Sequence, residues 1–269
     1  MIDDAAAEAW REEQRATYSA GDSDALAQRQ QPLAARLAEA AGLRAGDDVL
    51  DIGAGTGNVA VTAARLGARV TAVDLTPRQV DAGRARCAAE GLEVRWQVAD
   101  AEQLPLADGS VDVALSSFGI VYAARPERAA AEVRRVLRPG GRLLLTAYPR
   151  DSFNGRALEV VNRFLPEAPV PTTVDEYLWA DQQTLARWFP CRRIEVAAEV
   201  VLSEPYPSAD AWFEGVLDVP IVARLRDTLP AEQFDELRRE IVALRSHYAD
   251  VDPDGTLHPR EGYVVVRVD

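Results

Sequence analysis

The chain has 269 residues, 48% of them hydrophobic, with a formal net charge of −13 from 30 basic and 43 acidic side chains. That is enough for one substantial core, while the acidic balance and lack of any basic block argue against nucleic acid, whose binding rests on neutralising phosphates, and favour a neutral or cationic small molecule. No run approaches the ~20 apolar residues of a membrane-spanning helix, and the acidic start Met1-Ile2-Asp3-Asp4 lacks the basic and apolar parts of a signal peptide, so a cytoplasmic protein is predicted.

Residues 5 to 30 are polar with a helical pattern in which Trp10 and Tyr18 are the large apolar groups. Gly21-Asp22-Ser23 interrupts it, and a second helix from Pro32 to Ala41 is stopped by Gly42. Beyond this, strand and helix patterns alternate, the rhythm of βαβ units and a parallel sheet. The first strand, Val49 to Ile52, carries Asp51 and runs into Gly53-Ala54-Gly55-Thr56-Gly57-Asn58. Glycine at every second position lets the backbone turn tightly and pass close to a bound molecule. A P-loop requires a lysine after its glycines, and this chain has no lysine. A dinucleotide fingerprint requires glycine where Asn58 stands, and Asp51 adds a negative charge unsuited to a pyrophosphate.

The second strand, Arg69 to Val73, ends at Asp74-Leu75, about 20 residues past the loop, the spacing at which a carboxylate reaches a ribose diol. Thr76-Pro77 opens the next helix and Gly91 stops it. A third strand, Val94 to Val98, leads into Asp100-Ala101. Singly, Asp74 and Asp100 read equally well as turn or cap residues; acids ending three successive strands are harder to explain that way. A fourth strand, Val111 to Phe118, precedes Tyr122. Arg138-Pro139-Gly140-Gly141-Arg142 turns into the fifth, with Leu143 to Leu145. Arg193 to Leu202 reads as a sixth strand and Gly262 to Val268 as a seventh. Between them, helices over 208–217, 221–229 and 231–248 are separated by Pro220 and Pro230. This insert is either extra core or a dimer contact, or a cap over a substrate pocket, the reading favoured here. Trp212, Phe213, Val216 and Leu217 share a helix face that must be buried.

From about residue 47 to 147 these motifs resemble the class I S-adenosylmethionine (SAM)-dependent methyltransferases, in the small-molecule branch that includes quinone and natural-product enzymes. The Asn/Asp-Pro-Pro-Tyr signature of the amino-methylating DNA enzymes is absent; Ser116-Ser117-Phe118-Gly119 stands in its place. The resemblance implies an α/β fold with a seven-stranded, doubly wound, mostly parallel sheet whose last strand runs antiparallel beside the fifth. A single domain is predicted, with N-terminal helices as a lid (1–45), a SAM-binding core (46–202), the helical cap (203–261) and the last strand (262–269).

It further implies SAM as cofactor and S-adenosylhomocysteine (SAH) as product. The corresponding cofactor-binding residues are Asp51, Gly53, Ala54, Gly55, Gly57, Asp74, Leu75, Asp100, Ala101 and Ser117, with Tyr18 closing over the ligand. Asp74 alone does not separate SAM from a nicotinamide cofactor, since both present a diol; Asp100, which in the family accepts from the adenine amino group, does. A small-molecule acceptor is expected near Phe118, Tyr122, Trp212 and His247. No catalytic residue is assigned, because methyl transfer asks the protein mainly for alignment, and the only histidines, His247 and His258, fall in or after the insert. Nor is a metal expected: no acid cluster surrounds the fourth-strand loop, and Cys87 and Cys191 form no ligand spacing. Competing readings are a SAM-binding protein of the same fold without methyl transfer and a nicotinamide oxidoreductase. Either a monomer or a homodimer is compatible.

Overall fold

The computed structural model describes residues 2–20, 23–164 and 175–269. Five strands pair in parallel: β1 (Asp48–Ile52), β2 (Arg69–Asp74), β3 (Val94–Val98), β4 (Val111–Ser117) and β5 (Leu137–Ala147). β6 (Ile194–Leu202) and β8 (Leu257–Val268) complete the order β3-β2-β1-β4-β5-β8-β6, with β8 antiparallel to both its neighbours. The antiparallel strand beside the fifth is therefore where the sequence reading puts it. A short β7 (Ala249–Val251) pairs with the start of β8 and raises the strand count to eight. β8 begins five residues before Gly262, so the insert ends in a hairpin and the predicted boundary at 262 cuts through a strand.

Both faces of the sheet are covered, which is why its central strands are nearly continuous apolar runs. Alternation decides which side chain meets which layer. Val49 of β1 packs with α2 (Ser23–Ala41), α3 (Asn58–Arg65) and α4 (Pro77–Ala89); Leu50 and Ile52 pack on the opposite face with α5 (Pro126–Val136) and α7 (Gln182–Trp188). Asp51 shares the parity of Val49 and so points at the start of α3. α2 runs through Pro32 instead of starting there. Burial of Ala34, Leu37, Ala38 and Ala41 outweighs the ~3 kcal/mol that proline costs inside a helix. The predicted break at Gly21 and Asp22 lies outside the described residues.

α6 (Phe153–Phe164), after β5, packs with the insert helices α8 (Ala209–Glu214), α9 (Pro220–Thr228) and α10 (Ala231–His247) in a third apolar cluster. Trp212 and Phe213 belong to it, so the helix face that the sequence requires to be buried packs against α6 and α10. Arg245 is wholly buried there. Its guanidinium carbon lies 3.4 Å from the Phe153 ring centroid and 5.0 Å from that of Trp212, and its charge meets Glu261 at 2.6 Å. No helix among the described residues is long and apolar enough to cross a membrane.

Candidate cofactor site

Strand order reverses between β1 and β4, so the crossovers leave a crevice at the carboxyl ends of these two strands. The glycine loop occupies it. Gly53, Gly55 and Gly57 all have φ between 54° and 93°, conformations that side-chain-bearing residues rarely adopt. Gly53 has a second constraint: a Cβ there would lie 2.5 Å from the Cα of Gly119 in the loop after β4. A Cβ on Gly55 would meet nothing within 4 Å; this glycine faces open space.

Gly57 is the N-cap of α3 and has no side chain to cap with. Asp51 supplies the cap from the neighbouring strand, its Oδ2 accepting from the Ala60 amide at 2.9 Å. Its Oδ1 is buried and has no hydrogen-bond partner among the described residues, and the residue is only 1% exposed. Burial pushes the carboxyl up to about 7, with the Ala60 amide opposing the shift and the charge of Asp74 adding to it. Asp74 ties the loop to the next turn, Oδ2 accepting from Gly55 N at 2.8 Å and Oδ1 from Thr76 N at 2.9 Å. Burial raises its pKa too, against those amides. Asn58, standing where the third fingerprint glycine is missing, donates to Ala27 O of α2 at 2.7 Å and accepts from Arg86 of α4 at 2.8 Å. The departure from the dinucleotide pattern thus locks three helices together.

Asp100, past the end of β3, accepts from Arg11 Nε at 2.5 Å and from Glu102 N at 2.9 Å. Arg11 belongs to α1 (Asp4–Ser19), which spans the crevice. Trp10 Nε1 donates to Tyr122 O at 2.8 Å, Tyr18 O accepts from Gln79 at 2.9 Å, and the Tyr18 and Tyr122 rings sit 5.8 Å apart. On the β4 side, Phe118 is held at φ 57°. Its amide donates to Thr146 Oγ1 at 3.1 Å, and its ring stacks on Tyr148 at 4.2 Å and meets Tyr263 edge-on at 6.2 Å. Ser116 Oγ donates to Ile52 O and accepts from Ile120 N, joining the ends of β1 and β4. Ser117 Oγ is buried without a partner among the described residues.

Asp51, Gly53, Ala54, Gly55, Gly57, Asp74, Leu75, Asp100, Ala101, Ser117, Phe118 and Tyr122 thus lie at or just beyond the carboxyl ends of the neighbouring strands β3, β2, β1 and β4, with Tyr18 of α1 beside Tyr122. Among the described residues no contact brings Trp212 or His247 to them: Trp212 lies in the cluster that the insert forms with α6, and His247 is exposed at the end of α10, edge-on to Tyr248 at 5.2 Å. His258 pairs with Asp252 in the β8 hairpin at 3.0 Å. Sequence reasoning passed over Gly119, Arg11 and Tyr148. Gly119 is identifiable only once β1 and β4 are known to be adjacent, and nothing sets Arg11 apart in a helix full of charges. Among the described residues no three His, Cys, Asp or Glu side chains converge on a metal position.

The donor set suits a ligand with a positive end and a nucleoside. Oδ1 of Asp51, a buried carboxyl oxygen without a partner among the described residues, seeks a cation or donor, Gly55 opens space at the middle of the loop, and Asp74 and Asp100 carry acceptor oxygens at the next two strand ends.

Residues 50–145 match the family model described as a methyltransferase domain. An uncharacterized protein of Mycobacterium tuberculosis (strain ATCC 25618 / H37Rv) is 38% identical over 176 residues, 65% of this chain and 64% of that protein; the chain thus matches less than two thirds of that relative's length. The ubiquinone/menaquinone biosynthesis C-methyltransferase UbiE of Rubrivivax gelatinosus is 47% identical over 109 residues, 40% of this chain and 42% of that enzyme. The crystal structure of a putative methyltransferase from Bacillus halodurans C-125 superposes with a TM-score of 0.61 at 20% identity, covering 87% of this chain and 97% of that one, and so shares the fold. Residues 50–145 thus match a methyltransferase domain, and the sheet built around them has the fold of that putative methyltransferase.

Proposed function

We propose that this protein transfers the methyl group of SAM to a small-molecule acceptor in the crevice between the glycine loop and the loop after β4. The observation that carries this reading is the buried, half-satisfied Asp51 beneath a loop that opens at Gly55. A carboxylate there is unfavourable on its own and becomes favourable beside a ligand's ammonium and sulfonium. Bound in the crevice, SAM supplies a methyl group already activated toward nucleophiles. In this reading Asp51, Gly53, Ala54, Gly55 and Gly57 hold the amino-acid end, Asp74 and Leu75 the ribose, and Asp100 and Ala101 the adenine. Ser117 borders the reacting end and Tyr18 closes the crevice from α1. Phe118, Tyr122 and Tyr148 offer aromatic faces for the acceptor, and such faces attract a sulfonium by about 0.5–2 kcal/mol. The described residues place no histidine in the crevice, so alignment and water exclusion are the chain's main contributions to rate.

The test is calorimetry with SAM and SAH, followed by an acceptor screen read as SAH release. One-to-one binding with turnover supports the proposal. Binding without turnover on any acceptor leaves a SAM-binding protein, and a response to NAD but not to SAM points to an oxidoreductase.

A further inference from the structure

α1 grips two partners with opposite sides. Residues 11 and 13 are separated by about 200° around a helix, so their side chains leave in nearly opposite directions. Arg11 reaches the crevice: Nε meets Asp100 at 2.5 Å and Nη2 meets Glu102 at 2.9 Å, with the Arg11 side chain 12% exposed. Arg125 completes this network, meeting the same Glu102 at 2.6 Å and pairing with Asp4 at the start of α1. Glu13 faces away, to the insert. Its two oxygens take Nε and Nη2 of Arg224 on α9 at 2.8 and 2.6 Å, a paired contact with fixed geometry. The same short helix is therefore tied to the adenine end of the crevice and to the helical insert. Neither Arg11 nor Glu13 belongs to a cofactor motif.

We propose that α1 is a two-sided clasp through which the insert controls release of the cofactor. This rests on the reading of the crevice as the SAM site. Cofactor leaving past α1 must break the Arg11 tie, and a rigid helix cannot lift from Asp100 while Glu13 remains fixed to Arg224. The insert thus acts on the cofactor without touching it, and any acceptor that orders α9 also slows cofactor loss. Arg11 and Glu13 are positioning residues in this arrangement, acting through Asp100 and Arg224.

The experiment measures the dissociation rate of SAH by stopped-flow displacement in the full-length protein. Arg224→Gln and, separately, Glu13→Gln should each speed SAH release by about five-fold, the scale of coupling within one ion-pair network. The charge-exchanged double variant Glu13→Arg/Arg224→Glu should return the rate to within about two-fold of wild type, because only the pair is required. Melting curves establish that each variant is folded, and the two single variants break the same contact from opposite sides. Release unchanged in a folded single variant, or a double variant as fast as the singles, overturns the clasp. Failure of the wild-type protein to bind SAH would instead overturn the cofactor reading on which the clasp stands.

Discussion

Asp51 and Asp74 hold the glycine loop between them, one bonded to Ala60 in the first turn of α3 and the other to Gly55 at the middle of the loop. The arrangement has an electrostatic consequence. Burial pushes Asp51 up to about 7, and the charge of Asp74 adds to the shift. An unfolded aspartate ionises near ~3.9, so between these values the folded chain binds a proton that the unfolded chain has released. Stability from this group therefore declines as pH rises from about 4 to about 7 and stays reduced above.

Asp51→Asn keeps an oxygen for the Ala60 amide and removes the charge. The variant should melt several degrees above wild type at about pH 8, with the gap narrowing toward about pH 5 as wild-type Asp51 takes up its proton. It should also bind SAM at least ten-fold more weakly, roughly the loss of one charge-assisted hydrogen bond. Equal melting gaps at both pH values would show that Asp51 ionisation does not control stability. Unchanged SAM affinity would leave Asp51 a helix cap only.

Asp74 tests the ribose assignment. Because its carboxylate already accepts from Gly55 and Thr76, Asp74→Ala strips two backbone amides as well as any ligand contact. Asp74→Asn is the gentler probe. Wild type should prefer SAH over its 2′-deoxy analogue by at least about ten-fold, each ribose hydrogen bond to the carboxylate being worth roughly 1.5–3 kcal/mol. The variant should lose most of that preference. If discrimination survives in a folded variant, the diol is read by another group and Asp74 only ties the loop.

The cofactor half was legible in the sequence because its constraints are local: a positive φ demands glycine at 53, 55 and 57, and strand alternation places Asp51 on the side of α3. The helices of the insert were legible too, from proline boundaries at 220 and 230. Their docking was not. Apolar periodicity shows that Trp212 must be buried but not against what, and α6, which supplies Phe153, lies about 60 residues away in the chain. The reading of α2 failed for a related reason, since Pro32 carries a strong local signal that packing on α3 overrides. Arg11 and Arg224 give no local signal; each becomes meaningful only through a partner distant in sequence.

Gly83 shows how local and tertiary effects compete. It lies within α4, where alanine is ordinarily favoured over glycine by about 1 kcal/mol. Here a Cβ would approach the Trp96 ring at 2.2 Å, and the same ring lies 3.0 Å from a Cβ built on Gly57. Gly83→Ala should therefore destabilise the fold by about 1–3 kcal/mol and push Trp96 toward the glycine loop, weakening SAM binding. Urea denaturation and calorimetry give both values. Combining Gly83→Ala with Trp96→Phe should recover part of each loss, and a stabilised single variant would mean that the indole moves aside freely.

Trp212 separates a structural role from a direct catalytic one. Its ring meets Phe153 edge-on at 5.3 Å and helps enclose Arg245, whose charge is buried with Glu261 as its acidic partner. Truncation to alanine removes a large ring and opens a path for water to a buried cation, so a stability loss of about 3–5 kcal/mol is expected. Trp212→Phe, which keeps an aromatic face, should lose much less. The damage should be local: faster hydrogen exchange in α8 and α10, with β1 to β4 protected as in wild type, because the two apolar clusters that cover the sheet do not include Trp212. SAM affinity should then fall by no more than about five-fold, the change expected for loss of the Glu13–Arg224 tie, while turnover of a true acceptor falls further, since a loosened insert orders the acceptor poorly. If turnover falls in Trp212→Phe as far as in Trp212→Ala while both remain equally folded, the indole itself must reach the acceptor. Its burial against Phe153 would then describe only one position of a mobile insert.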